Sequence, residues 1–367
     1  MSYPEITPVS LVTGFLGSGK TTLLNRVLAD PQMAGAAGII NEFGEIALDH
    51  LLVTTPAENM ILLRSGCLCC TVRGDLVETL ADLYRRRATG AIPAFDRVLV
   101  ETTGLADPVP ILRTLATDEE LAAVFRLDSV ITVVDSVNAA AQLDANAESV
   151  KQAAVGDVLI LSKTDIARAD DVRALRARLQ RINPGARQLA AVRGAVDSAE
   201  LFGHALDRGH GGRVERWLAE DAFREAAHDH DHAHASVDVN RHDAHVRAFC
   251  LRHEAPVSGA GLMAWLNLLA GLKGANLLRV KALVNVDGQP VVVHAVQSVI
   301  HEPIVLDAWP SADRSTRIVF IVRDMERAEV ERTLELFAVN VAQRAPGALI
   351  DPQEYARFVQ AARAMQR

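Results

Sequence analysis

The sequence predicts an α/β protein in two parts, a P-loop domain on a mostly parallel sheet followed by a smaller α+β domain. Three observations carry this. Short strands with continuous apolar runs, such as 97–101 around Val98-Leu99-Val100 and 157–161 around Val158-Leu159-Ile160-Leu161, alternate with helical stretches, the pattern of strands buried on both faces. That pattern stops between His228 and His245, where polar residues and histidines take over. From Val246 the spacing changes to strands of an antiparallel kind, two of them joined at Asp287-Gly288, a hairpin-turn pair. With 367 residues, 49% of them apolar, the chain can furnish two cores. The expected division is 1–222 for the first domain, 223–245 for a His-rich linker and 246–367 for the second.

Residues 9–13 form a β-branched first strand. It runs into Gly14-Phe15-Leu16-Gly17-Ser18-Gly19-Lys20-Thr21, which matches G-x-x-x-x-G-K-[ST] at every fixed position, and 22–28 then has helical apolar spacing. Strand, loop and helix together identify a phosphate-binding loop. Its glycines allow the tight turn that aims backbone N–H groups at phosphate oxygens, and the helix N-terminus adds positive potential. Lys20 can reach the β and γ phosphates, and the Thr21 hydroxyl can hold Mg²⁺. The expected cradle is Gly14, Gly17, Ser18, Gly19, Lys20, Thr21 and Thr22.

A second strand, 37–40, ends in Asn41-Glu42-Phe43-Gly44-Glu45. Another, 60–64, leads into Gly66-Cys67-Leu68-Cys69-Cys70, and 74–87 is an amphipathic helix. The strand 97–101 closes on a carboxylate in Glu101-Thr102-Thr103-Gly104. There Glu101 would hold the hydration shell of Mg²⁺ and the Gly104 amide could sense the γ-phosphate. Strands 130–135 and 157–161 follow, the latter ending in Ser162-Lys163-Thr164-Asp165; 188–192 is a weaker strand. In Ser162-Lys163-Thr164-Asp165, Asp165 can accept two hydrogen bonds from the guanine N1–H and N2–H₂ edge while the Lys163 stem packs on the base. Ser162 stands where a guanine-reading motif usually carries Asn. These segments lie where ligands of parallel sheets bind, at the carboxyl ends of the strands.

Three of the four cysteines fall within Cys67-Leu68-Cys69-Cys70, which is no disulfide framework for a chain this long. Their thiols can converge on one soft or borderline cation such as Zn²⁺, leaving a tetrahedral position for a carboxylate, histidine, water or recipient ligand. His228, His230, His232 and His234 alternate with Asp and Ala, so an extended loop would put them on one face as a weak auxiliary metal site. His50, His204, His253, His294 and His301 are isolated. The second domain reads as strands 246–251, 277–286, 291–299 and 317–322 with helices 261–272, 326–337 and 352–366.

Composition excludes other classes. A net charge of −8 with no basic cluster interleaved with aromatics leaves nucleic acid without an electrostatic footprint. No leader pattern and no run of about 18 apolar residues points to a membrane, so a cytoplasmic protein is expected.

The P-loop, Asn41 to Glu45, Gly66 to Cys70, Glu101 to Gly104 with Ala106-Asp107-Pro108, and Ser162 to Asp165 occur in the order seen in the CobW-like metallochaperone GTPases. The chain resembles that family, relatives of the urease and hydrogenase nickel-insertion GTPases. Leu277-Leu278-Arg279-Val280-Lys281-Ala282 and the following hairpin resemble its C-terminal domain. The resemblance implies GTP binding, slow hydrolysis with Lys20, Thr21 and Glu101 as the catalytic set, and delivery of Zn²⁺ or Co²⁺ to a client metalloprotein. Slow turnover also fits the absence of a Gln after Glu101-Thr102-Thr103-Gly104. The resemblance further implies that Glu42 and Glu45 respond to nucleotide beside the metal loop. Ile40 occupies a position where some relatives carry a carboxylate, which leaves Glu45 as the candidate fourth ligand. A homodimer is compatible with this reading. The competing readings are a cobalt-handling GTPase serving cobalamin synthesis or a cobalt enzyme, a nucleotide switch with a structural metal, and a P-loop ATPase or small-molecule kinase.

Overall fold

A computed structural model describes residues 6–41, 52–54, 61–65, 72–204, 213–223 and 242–338. They fall into two compact units, one drawn from Met1–Ala205 with Asn240–Asp243, the other from Leu206–Val239 with Ala244–Arg367.

The first unit is built on strands β1 (Thr7–Thr13), β2 (Ala36–Asn41), β3 (Leu52–Thr54), β4 (Ile61–Ser65), β5 (Arg97–Glu101), β6 (Phe125–Asp135), β7 (Val158–Ser162) and β8 (Arg187–Ala191). They form one eight-stranded sheet in the order β3-β4-β2-β5-β1-β6-β7-β8. Every neighbouring pair is parallel except β3 with β4. The helices are α1 (Lys20–Leu28), α2 (Val72–Ala88), α3 (Val109–Thr117), α4 (Glu119–Ala122), α5 (Ala139–Ala145), α6 (Ala147–Val155) and α7 (Ala169–Ile182).

The central strands are apolar on both faces because both are covered. On one face Leu23, Leu24, Val27 and Leu28 of α1 join Val12, Leu99, Ile131, Val133, Val158 and Ile160 in a single core cluster. Leu76, Leu80 and Leu83 of α2 are fully buried. Register matters more for function than the core does. Val12 pairs with Glu101 and Ile131, while Asp135 pairs with Ser162, and Ser162 with Ala191. The parallel alignment therefore brings the polar ends of β1, β5, β6 and β7 to the same edge of the sheet.

The second unit holds α8 (Val214–Leu218), β9 (Val246–His253), α9 (Gly259–Lys273), β10 (Leu277–Val286), β11 (Gln289–Val296), β12 (Val299–Ile300), β13 (Ile304–Val305), β14 (Thr316–Arg323) and α10 (Arg327–Ala338). Its antiparallel sheet runs β12-β11-β10-β14-β9, with β13 paired to β11. One face is apolar: Leu262, Trp265, Leu266 and Leu269 of α9 and Val330 and Leu334 of α10 cluster with Phe249, Val280, Val293 and Phe320. Trp265 has no exposed surface, and its Nε1 donates to Thr333 Oγ1 at 3.0 Å. The chain's three tryptophans, Trp217, Trp265 and Trp309, all belong to this unit. Asp287 and Gly288, with φ of 51° and 89°, make the expected β10–β11 turn.

Several elements depart from the sequence pattern. β3 is a three-residue edge strand, too short to show periodicity. β6 starts at Phe125 rather than Val130: its first residues pair with β1 from Thr7, while Arg126 and Asp128 interrupt the apolar run there. The apolar run 291–299 divides into β11 and β12, since Gln297 takes a φ of 52° and reverses the chain. Residues 214–218 pack on β10 within the second unit. His294 and His301 are not isolated: their rings stack with centroids 4.6 Å apart and 7° between planes. The expected terminal helix at 352–366 lies outside the described residues.

Candidate functional site

The loop between β1 and α1 has the conformation its glycines permit. Gly14, Gly17 and Gly19 have φ of 139°, 71° and 95°, values that L side chains rarely adopt. Gly14 has a second constraint, since a Cβ there would lie 2.2 Å from the Val133 carbonyl oxygen. The Ser18 N–H closes a turn on the Phe15 carbonyl at 3.2 Å. Ser18 is fully buried, and its hydroxyl has no hydrogen-bond partner among the described residues. Lys20 is 8% exposed and donates to the Phe15 carbonyl at 3.2 Å. Burial pushes its ammonium below the ordinary lysine value, and the charge of Glu101 opposes this without cancelling it. A desolvated cation in a glycine loop that leads straight into a helix N-terminus is a site for a polyanion.

Glu101, at the end of β5, meets this loop directly. Thr21 Oγ1 donates to Glu101 Oε1 at 2.7 Å, joining two segments 80 residues apart. Beside it, Thr102 Oγ1 donates to Thr13 Oγ1 at 2.9 Å. Gly104 packs on the P-loop backbone so closely that a Cβ there would come within 2.6 Å of Leu16 N. Two adjacent hard oxygens, one of them a carboxylate, suit Mg²⁺ in donor chemistry.

Ser162, at the end of β7, has a hydroxyl that donates to the Ser18 carbonyl at 2.6 Å. It thus ties the strand to the P-loop. Lys163 takes a φ of 57°, and its Nζ contacts Asp135 Oδ2 at 2.7 Å. Burial pushes the Asp135 carboxyl up, but hydrogen bonds from Lys163, Asn138 and the Val137 N–H outweigh it and hold the group below its ordinary value. Asp165 is exposed in the turn that Ile166 and Ala167 close on the Lys163 carbonyl. Thr22 is exposed on α1, and a Cβ on Gly194 would come within 2.9 Å of its carbonyl.

The structure therefore brings Gly14 to Thr22, Glu101, Gly104, Ser162 and Lys163 to one end of the sheet. Glu42, Glu45, Cys67, Cys69, Cys70, His228, His230, His232 and His234 lie outside the described residues. Among the described residues no group of three or more His, Cys, Asp or Glu could hold a metal ion. Sequence reasoning missed Asp135, which orients Lys163; its only signal was a carboxylate closing an apolar strand, as Glu101 does. It also missed α6, whose Gln152 and Lys151 reach the loop after Gly104 and match no motif.

Fold and site together define a P-loop nucleotide-binding protein. The profile described as the CobW/HypB/UreG nucleotide-binding domain matches residues 8–190, and that of the cobalamin synthesis protein cobW C-terminal domain matches 246–338. The chain belongs to the CobW/HypB/UreG family. It is 30% identical over 362 residues to the zinc chaperone CobW of Pseudomonas aeruginosa, covering 89% of this chain and 90% of that protein. It is 39% identical over 194 residues to the zinc chaperone YjiA of Escherichia coli. That match spans 53% of this chain and 60% of the relative. The crystal structure of the Zn(II)-bound YjiA GTPase of E. coli superposes with a TM-score of 0.66 at 27% identity, over 90% of this chain and 98% of that one. No helix among the described residues is long and apolar enough to cross a membrane.

Proposed function

We propose that this chain is a GTP-dependent metallochaperone that binds and slowly hydrolyses GTP and passes Zn²⁺ to a client metalloprotein. The observation that carries the nucleotide half is the Thr21–Glu101 hydrogen bond, which closes the P-loop onto the second phosphate motif. The cargo half rests on the thiol chemistry of Cys67, Cys69 and Cys70 and on relatives that are zinc chaperones.

In this mechanism the P-loop amides and Lys20 neutralise the triphosphate. Lys20, already desolvated, gains its counter-charge when the phosphates arrive. Thr21 and Glu101 would hold Mg²⁺, which supplies charge neutralisation at the β and γ oxygens. Gly104 sits against the P-loop, and in this reading its amide contacts the γ-phosphate that a diphosphate lacks. Lys163, held by Asp135, offers its stem to the base, and Asp165 reads the guanine edge. Glu42 and Glu45 connect nucleotide state to the cysteine loop, with Glu45 completing the metal shell. The histidines from His228 to His234 gather metal weakly.

The test is a Zn²⁺ and Co²⁺ titration of apo protein with GTP, GDP or no nucleotide, beside a Cys67/Cys69/Cys70→Ser variant. Stoichiometric, nucleotide-dependent binding that the variant loses is the expected result. Binding that persists in the variant, or affinity indifferent to nucleotide, would overturn gated delivery.

A further inference from the structure

The loop that follows Glu101 is gripped from outside the P-loop by a helix that no phosphate-site motif includes. Gln152, in the middle of α6, is 1% exposed. Its Nε2 donates to the Gly104 carbonyl at 3.2 Å and to the Ala106 carbonyl at 3.1 Å. The preceding residue, Lys151, pairs with the Asp107 carboxylate, whose other oxygen accepts the Val109 N–H that begins α3. The helix is itself fixed to the sheet, since Thr132 Oγ1 of β6 donates to the Gln152 carbonyl at 2.7 Å. Asn183 holds its C-terminal end through bonds to the Ala153, Ala154 and Gly156 carbonyls. On its other side the loop has no slack, because the Gly104 Cα lies against the Leu16 backbone.

We infer that Gln152 is a positioning residue for the γ-phosphate sensor, with Lys151 as its auxiliary. The amide side chain has two N–H donors, and both loop carbonyls take one. Bonding at the Gly104 carbonyl sets the plane of the peptide that follows, and the bond at Ala106 prevents the loop from swinging away. Together they hold Gly104 within reach of the P-loop before any phosphate arrives. Preorganisation of this kind favours the ligand that uses the sensor, which is GTP and not GDP. Gln152 Oε1 has no hydrogen-bond partner among the described residues, so the side-chain hydrogen bonds that fix this residue are the two its Nε2 gives to the loop. Glutamine at this position is therefore explained by what its amide holds.

The inference rests on the nucleotide reading above, and the experiment separates the two. Affinities for GTP and GDP, each with Mg²⁺, are measured for the full chain, for Gln152→Leu and for Lys151→Ala, alongside the thermal midpoint of each. Lys151 is partly exposed, so its variant folds even if the first does not. The expected result is GTP affinity about tenfold weaker in Gln152→Leu, a smaller loss in Lys151→Ala, and GDP affinity within about twofold of the parent in both. GTP and GDP weakened together, or a lowered midpoint with unchanged discrimination, would overturn the role and leave Gln152 as a structural residue. A parent chain that binds no GTP would overturn the nucleotide reading and the inference with it.

Discussion

Thr21 has two duties that one substitution separates from folding. Its hydroxyl is partly exposed and spends its hydrogen bond on Glu101. Thr21→Ala should leave the fold intact and weaken Mg²⁺-dependent GTP binding by about 10- to 100-fold, the worth of a hydrogen bond to a charged group. Titration with and without Mg²⁺ checks this, and equal losses in both would refute it. Ser162→Ala should behave in the opposite way. It strands the buried Ser18 carbonyl, so a loss of about 1–3 kcal/mol in urea-induced unfolding is expected. The phosphate residues were legible because their chemistry demands particular types at fixed spacing. Asp135 and Gln152 were not, since each acts on a segment that the chain order hides and only the register of β6 or the packing of α6 reveals.

Helix α7 carries a concentrated set of ion pairs among the described residues of the first unit. Arg178, with 8% of its side chain exposed, makes a bidentate pair with Asp243 at 2.6 and 2.9 Å and also bonds Asp144 and the Ala140 carbonyl. Arg178→Ala removes the bidentate bonds to Asp243 together with those to Asp144 and the Ala140 carbonyl, and should cost about 1–3 kcal/mol, read from the denaturant midpoint. On the second unit the polar face of the antiparallel sheet is held by carboxylates. Burial pushes the Asp313 carboxyl up, but the Ser315 N–H and hydroxyl and the Arg252 guanidinium hold it down at about 2. The bidentate Arg317 contact likewise lowers Glu215. Depressed groups stabilise the fold fully above their unfolded values and cease to do so as pH falls through the folded ones. Ellipticity from this unit should therefore decline between about pH 4 and pH 2, and Asp313→Asn should flatten that decline. Elements whose burial is two-sided or whose turn residues are explicit, such as β5, β7 and the Asp287-Gly288 hairpin, were readable in advance. β3 and the β11–β12 break depend on edge pairing and a single left-handed residue, which leave no periodic trace.

At the scale of the whole chain, the proposed coupling between nucleotide and metal obeys reciprocity. GTP can change Zn²⁺ affinity only by the factor by which Zn²⁺ changes GTP affinity, typically about 1–3 kcal/mol. Measuring GTP affinity with and without Zn²⁺ should return the same ratio as the converse experiment; unequal ratios would mean that more than one metal is bound. A coupling of that size cannot strip a thiolate-held ion, so under the proposed function the client would have to offer competing ligands. The division into two units has an optical consequence. All three indole chromophores sit in the second unit, whereas the P-loop unit has none. Excitation at the red edge of the indole band, where tyrosines such as Tyr84 no longer absorb, thus illuminates only the half that does not carry the phosphate loop. Emission that shifts when GTP is added is a signal transmitted from the dark half to the bright one, and steady emission beside bound nucleotide means the message stops where it began.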